Sequence, residues 1–285
     1  MGKNNNSKYI SIILFSPFGN TLKIGEYIQN ILTEYNQNCE LFNLTGKSWQ
    51  QISSFDYSLV EKSDLLVIGS AVYAWKVVKP IKMFIDNLPI NKNGKAVFFT
   101  TYGLITGYTL FNGANLLRKK DYKVLACLKV PARHSMIFKK EEDIYLNRPN
   151  QQDMKKIWKF SKLIIKLLNK FPNWELSFKK LDYHSWKVKL LYKFMIKRFG
   201  MVLLPSTYFN HKKCIKCGKC AKACSVQIIK LVPYPKKFGH CIKCYNCVWS
   251  CPVDAVKSRT FWIFHFFHKF LGYIYHEIPE TKIYV

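Results

Sequence analysis

CIKCGKCAKAC, residues 214–224, is followed after sixteen residues by CIKCYNCVWSCP, residues 241–252. Eight of the ten cysteines lie in these two segments: Cys214, Cys217, Cys220, Cys224, Cys241, Cys244, Cys247 and Cys251. Each set has the spacing C-x2-C-x2-C-x3-C, and each position recurs 27 residues later. A repeat this regular implies two copies of one small unit packed about a pseudo-twofold axis. Cysteines three apart on a tight loop can present three thiolates to three corners of a cubane cluster, and the fourth is better placed for the other cluster. Cys214, Cys217, Cys220 and Cys251 are therefore expected to hold one [4Fe–4S] cluster. Cys241, Cys244, Cys247 and Cys224 are expected to hold the second.

Other cysteine chemistries fit less well. Structural zinc needs two C-x2-C pairs and leaves the other cysteines, repeated in register, unexplained. A disulfide framework would not need the repeat, and the sequence shows no secretory signal. The pattern closely resembles that of the bacterial two-cluster ferredoxins. Pro252 follows the last cysteine of the second copy as in that family; the first copy has Ser225 there instead. The resemblance implies a small α+β domain over residues 206–258.

Outward from the cysteines, the chain is long enough, at 285 residues, for a second domain. The formal net charge is +28, and it is unevenly spread. Residues 206–260 hold 11 basic and 1 acidic side chains, and residues 151–205 hold 13 and 3. Forty of the 45 basic residues are lysine, a bias that AT-rich coding can produce, but the scarcity of acids beside the cysteines calls for another reason. No run approaches the roughly 20 apolar residues of a spanning helix. Iron–sulfur cysteines without an export signal point to a reducing cytoplasm, that of an anaerobe.

The N-terminal part alternates strands and helices. KYISIILFS (8–16) reads as a buried strand, and the loop SPFGNT (16–21) leads into an apolar-periodic helix over 22–35. Further strands are expected at 39–44, 64–73, 95–103 and 122–130, with helices at 77–88, near 108–119, and at 151–170. Apolar strands without alternation, separated by helices, predict a doubly wound parallel sheet of five strands. Ligands of such sheets bind beyond the carboxyl ends of the strands, here the loops 16–21, 70–76 and 100–107. A polar loop opening a helix also offers an anion its backbone N–H groups.

SPFGNT resembles the phosphate loop of flavodoxins, S/T-x-T-G-N-T: Ser16, Gly19, Asn20 and Thr21 match, and Phe18 stands where that family has a threonine. GSAVYAW (69–75) resembles the second flavin loop and TTYG (100–103) the third. The resemblance covers residues 8–165 and implies a flavodoxin-like domain that binds FMN. Ser16, Gly19, Asn20 and Thr21 would hold the phosphate, Tyr73 or Trp75 would stack on the ring, and Thr101, Tyr102 and Gly103 would line the third loop. Loss of the flavin, marked by Phe18, is the competing reading. Cys39 and Cys127 fall in expected strands as buried, inert thiols.

The expected domains are a flavodoxin-like unit over 1–153, a basic helical connector over 154–205, a two-cluster ferredoxin-type unit over 206–258 and an aromatic tail over 259–285. In the connector, Ile157, Phe160, Ile164, Leu168 and Phe171 share one helical face, and a second basic helix is expected near 185–200. These helices either pack on the two domains or offer a basic surface to anionic lipid. His265 and His268 of the tail read as surface histidines.

The arrangement resembles the flavodoxin–ferredoxin fusion proteins of anaerobic bacteria. It implies an electron-transfer protein joining FMN to two [4Fe–4S] clusters, with an acidic redox protein or reductase as partner. Lys216, Lys219, Lys222 and Lys243 beside the ligands are expected to raise the cluster potentials. A flavin-dependent iron–sulfur oxidoreductase is the enzymatic alternative; its catalytic residues are not legible, since His134 is the one loop histidine nearby. A redox adaptor held peripherally at the inner membrane face is the third class. No nucleic-acid recognition fold is present in the pattern.

Overall fold

The structure, a computed structural model, describes residues 7–133, 135, 145–171, 173–196, 204–258 and 279–285. His134 and the aromatic stretch 259–278, with His265 and His268, lie outside these residues.

The N-terminal domain is built on β1 (Tyr9–Phe15), α1 (Asn20–Glu34), β2 (Asn38–Asn43), the short helices α2 (Trp49–Ser53) and α3 (Ser58–Glu61), β3 (Leu65–Tyr73), β4 (Lys76–Val77), α4 (Lys79–Asp86), β5 (Lys95–Tyr102), α5 (Thr109–Arg118), β6 (Lys123–Pro131) and α6 (Gln151–Lys170). The sheet order is β2-β1-β3-β5-β6, and each of these pairs is parallel. This is the doubly wound order of flavodoxin-like sheets, with the switch point between β1 and β3. Both faces are covered, which is why the strands read as unbroken apolar runs. Ile10, Ile12 and Leu14 pack with Ile24 and Ile28 of α1 and Ile157, Phe160 and Ile164 of α6. Ile13 and Phe15 face the other way, towards Ile81 and Phe84 of α4 and Leu110 of α5. Gly25 lets α1 come down on β1, since a Cβ there would stand 2.3 Å from Leu14 Cδ2.

α6 begins at a reciprocal cap between Asn150 and Asp153. Phe171, expected on its buried face, is its C-cap and is exposed, because the helix ends before the stripe returns. Of the second basic helix expected near 185–200, the described part is helical: α7 (Trp186–Leu191) passes into a π-turn (Tyr192–Ile196), and Asn112 Nδ2 donates to Tyr192 Oη at 2.9 Å; residues 197–200 lie outside the described residues.

The ferredoxin-type unit comprises β7 (Thr207–Phe209), α8 (Lys219–Lys222), β8 (Ile229–Leu231), β9 (Pro235–Lys237), α9 (Asn246–Trp249) and β10 (Val256–Ser258). β7 pairs with β10 and β8 with β9, both antiparallel. The sequence did not announce two further strands. β4 folds back on β3 through Ala74 and Trp75, both at positive φ, in a two-residue turn. β11 (Lys282–Tyr284) returns to the N-terminal sheet and runs antiparallel to β6, so the end of the tail is an edge strand of the first domain. It is tied there by Thr281 Oγ1 donating to Asp153 Oδ1 at 2.6 Å and Lys156 Nζ donating to Thr281 O at 2.7 Å.

Candidate functional site

The cysteine repeat is also a repeat in space. Positive φ recurs at Lys216 and Lys243, at Gly218 and Tyr245, and at Gln227 and Asp254, each pair 27 residues apart. These turns swing the loops round so that the sulfurs face inward. Cys214, Cys217, Cys220 and Cys251 line one apolar cavity; Cys224, Cys241, Cys244 and Cys247 line another. The two are alike in size, as two copies of the same group require. Each cavity thus takes three cysteines of one repeat and the fourth of the other. The sulfurs ring a cavity instead of converging on a point: among the described residues no three His, Cys, Asp or Glu side chains close on a single-ion site.

Backbone donors follow the same repeat. Lys216 N and Lys243 N donate to Cys214 Sγ and Cys241 Sγ, each at 3.4 Å. Ile228 N donates to Cys224 Sγ at 3.3 Å and Ala255 N to Cys251 Sγ at 3.2 Å. Such bonds suit thiolate ligands and help set the potential of what they bind. Burial pushes the free thiols up, Cys244 to about 11 and Cys247 to about 12, so cluster assembly must displace their protons.

The residues of the expected flavin loops lie at the carboxyl edge of the sheet. Gly19, at φ 81, caps α1 with no side-chain hydrogen bond, and a Cβ on it would meet nothing within 4 Å. Ser16 Oγ accepts from Leu22 N at 2.9 Å, which leaves its own proton to donate. Thr21 and Thr101 share a hydroxyl–hydroxyl bond of 2.8 Å, and Asn20 Nδ2 donates to Arg133 O at 3.3 Å. An open glycine at a helix start, beside a hydroxyl with a free proton, fits a phosphate.

The ring side of the site is differently arranged. Trp75 is buried, with its Cβ against Gly107. Tyr73 is turned towards the ferredoxin-type unit: burial first, then the charge of Cys244, raises its phenol well above the usual range. Tyr102 is the last residue of β5, and its hydroxyl donates to Glu280 O at 3.0 Å, so it holds the returning tail. Gly103 follows in the loop. Cys127 is fully buried, and burial raises its thiol; Cys39 is half-buried and pushed up to about 11 for the same reason.

Several residues that sequence reasoning passed over join the two sites. Asn246 Nδ2 donates to Pro17 O at 2.9 Å. Trp249 meets Phe18 edge to face at 6.0 Å, carries the Arg133 guanidinium 4.6 Å above its ring, and donates from Nε1 to Ser135 O at 2.8 Å. Gly46 N donates to Ser225 O at 2.9 Å and Trp49 Nε1 to His240 O at 3.2 Å. Phe18, which breaks the flavodoxin pattern, therefore packs the 16–21 loop against the cysteine domain. A signal was present: the second repeat has Asn246 and Trp249 where the first has Lys219 and Lys222.

Residues 207–230 and 235–257 each match the 4Fe-4S binding domain family. An uncharacterized protein of Methanocaldococcus jannaschii is 29% identical over 150 residues, 52% of this chain and 91% of that protein. Among solved structures, a flavodoxin from the domain Archaea superposes with 14% identity and TM-score 0.42 over 56% of this chain and 98% of its own. The flavodiiron core of Flv1 from Synechocystis sp. does so with 18% identity and TM-score 0.44 over 58% of this chain; the matched part is 37% of that longer protein. No helix among the described residues is long and apolar enough to cross a membrane. By its sheet order and its paired cysteine repeats, the chain joins a flavodoxin-like domain to a two-cluster 4Fe–4S ferredoxin-type domain and has a redox role.

Proposed function

We propose that the chain carries electrons between an FMN held at the 16–21 loop and the two [4Fe–4S] clusters, and exchanges them with an acidic redox protein. One observation carries the reading. Asn246 and Trp249 lie on the helix of the cluster ligand Cys247, and they touch Pro17 and Phe18 of the phosphate loop directly. The two cofactor sites thus share a boundary within one chain.

The clusters supply one-electron steps and the flavin can hold one electron or two. The protein's part is to hold, space and shield. Ser16, Gly19, Asn20 and Thr21 would take the phosphate. Trp249 meets Phe18 of the loop, and Tyr73 is turned towards Cys244 of the second cysteine set. Because the domains are tethered and packed, transfer needs no collision. The test is anaerobic rapid reduction of the clusters with flavin absorbance followed in time. A rate independent of protein concentration is expected; a rate proportional to concentration would defeat the proposal.

A second reading has its own observation. Trp186, Leu190 and Phe194 recur every fourth residue and are 69%, 50% and 62% exposed, on a segment that also carries Lys189 and Lys193. Such a face suits the surface of an anionic bilayer. Co-sedimentation with phosphatidylserine vesicles, lost in Trp186→Ser/Phe194→Ser, would support it; equal recovery with neutral vesicles would refute it.

A further inference from the structure

The two cysteine repeats have one backbone and opposite surroundings. Ile215 is 62% exposed, whereas Ile242, the same residue of the second repeat, is 2% exposed. Cys217 is exposed and Cys244 is buried. The second repeat is covered by its own chain: Tyr245 Oη donates to Pro205 O at 2.7 Å, Asn246 reaches Pro17, and Trp249 meets Phe18. At those three positions the first repeat has Gly218, Lys219 and Lys222. Leu231 and Val232, 40% and 55% exposed, widen its apolar centre, with Leu231 Cδ1 only 3.3 Å from where a Gly218 Cβ would stand. Lys216 lines the same cavity as Ile215 and Leu231, Lys219 and Lys222 lie on the short helix that follows Gly218, and Lys230 precedes Leu231; all four are exposed, and residues 206–253 contain no Asp or Glu.

An apolar centre in a charged rim is the anatomy of a protein interface, and here the rim has one sign. Residues that seat the flavodoxin-like domain in one repeat are replaced by lysines in the other. We infer that this face of the first repeat docks an acidic one-electron carrier protein, and that electrons enter or leave the chain through the cluster of Cys214, Cys217, Cys220 and Cys251. In each encounter one electron crosses: the donor is oxidised by one and the cluster reduced by one, or the reverse, with no bond made. Cys224, Cys241, Cys244 and Cys247 would hold the second cluster on the inner side, beside the 16–21 loop that Asn246 and Trp249 touch. The inference rests on the electron-transfer reading above and adds to it the partner's site.

The test uses the full, cluster-loaded chain and an acidic low-potential ferredoxin as probe, with binding measured by calorimetry at rising salt. The variants are Lys219→Glu/Lys222→Glu and, as an equal change in net charge elsewhere, Lys155→Glu/Lys159→Glu on the exposed side of α6. Iron content and the visible spectrum check that the clusters are retained, and Lys219→Gln/Lys222→Gln gives a milder pair if they are not. The expected result is a loss of affinity of about tenfold or more for the 219/222 pair, with a flatter salt dependence, and little change for the 155/159 pair. No binding by the unaltered chain, or an equal loss with both pairs, would overturn the docking surface. Reduction by a small photochemical donor, with no protein partner present, reads internal transfer separately. If that persists while the binding result fails, the docking surface alone is wrong.

Discussion

Ser225 sits where the second repeat has Pro252, and the substitution has two consequences. Its Oγ lies 3.5 Å from Cys244 Sγ, in a position to donate, and its carbonyl accepts from Gly46 of the flavodoxin-like domain. A proline would keep the carbonyl but supply no hydroxyl. A hydrogen bond to a ligand sulfur draws off charge and favours the reduced cluster. Ser225→Ala should therefore lower the potential of one cluster and leave the other in place. The size expected is about 1 kcal/mol, or roughly 40 mV for one electron. Redox titration followed by paramagnetic resonance reads this; equal shifts in both clusters, or none, would contradict it.

Phe18 makes a second case at this scale. Phe18→Thr restores the hydroxyl that the flavodoxin pattern has at this place and removes the contact with Trp249. Ring pairs of this kind contribute about 0.5–1.5 kcal/mol beyond their buried area. FMN should bind more tightly to the variant, by fluorescence quenching, while transfer from the clusters slows. Weaker FMN binding would show that Phe18 supports the flavin site and not only the domain seat.

Among elements, those with strong local signals were legible. β1, β3, β5 and β6 are buried apolar runs, and α1 and α6 carry full stripes, so their period alone placed them. The cysteine loops were legible because ligand spacing is a local geometric demand. β4 and β11 were not. Each is two or three residues long, and each exists because a partner strand is already there. Lys282, Ile283 and Tyr284 hold no signal of their own that could name Lys129, Leu128 and Cys127 as partners. The bond of Tyr102 is illegible for the same reason: its partner, Glu280, is 178 residues away.

The anchor of β11 gives the prediction at this scale. Asp153 is 2% exposed, accepts from Arg148 and Thr281, and closes the cap of α6. Removing one member of a buried ion pair costs about 3–5 kcal/mol. Asp153→Ala should lower the Tm of the flavodoxin-like domain by several degrees in far-ultraviolet dichroism and free the β6 edge to pair with other chains. An unchanged Tm would mean that the strand holds without this anchor.

For the whole molecule, the two domains are one packed body. A single apolar cluster runs from Ile13, Phe15 and Ile68 of the sheet through to Cys220, Cys224, Cys244 and Cys247. The sequence showed the two domains as neighbours in order but not as neighbours in space, because Asn246, Trp249 and Phe18 have meaning only once both are folded. Removal of the clusters should therefore be felt in the flavin domain. Chelation of iron is expected to loosen the 16–21 loop and weaken FMN binding, by quenching titration of the iron-free chain; unchanged affinity would show that the domains are only adjacent.

The central claim is that one chain holds both kinds of redox group. The measurement that tests it most directly is FMN and iron counted on the same sample, purified without oxygen and supplied with FMN. The account predicts about one FMN and about eight irons per chain, as two [4Fe–4S] clusters require. About eight irons with no retained flavin would contradict it, leaving the flavodoxin-like domain as a docking scaffold.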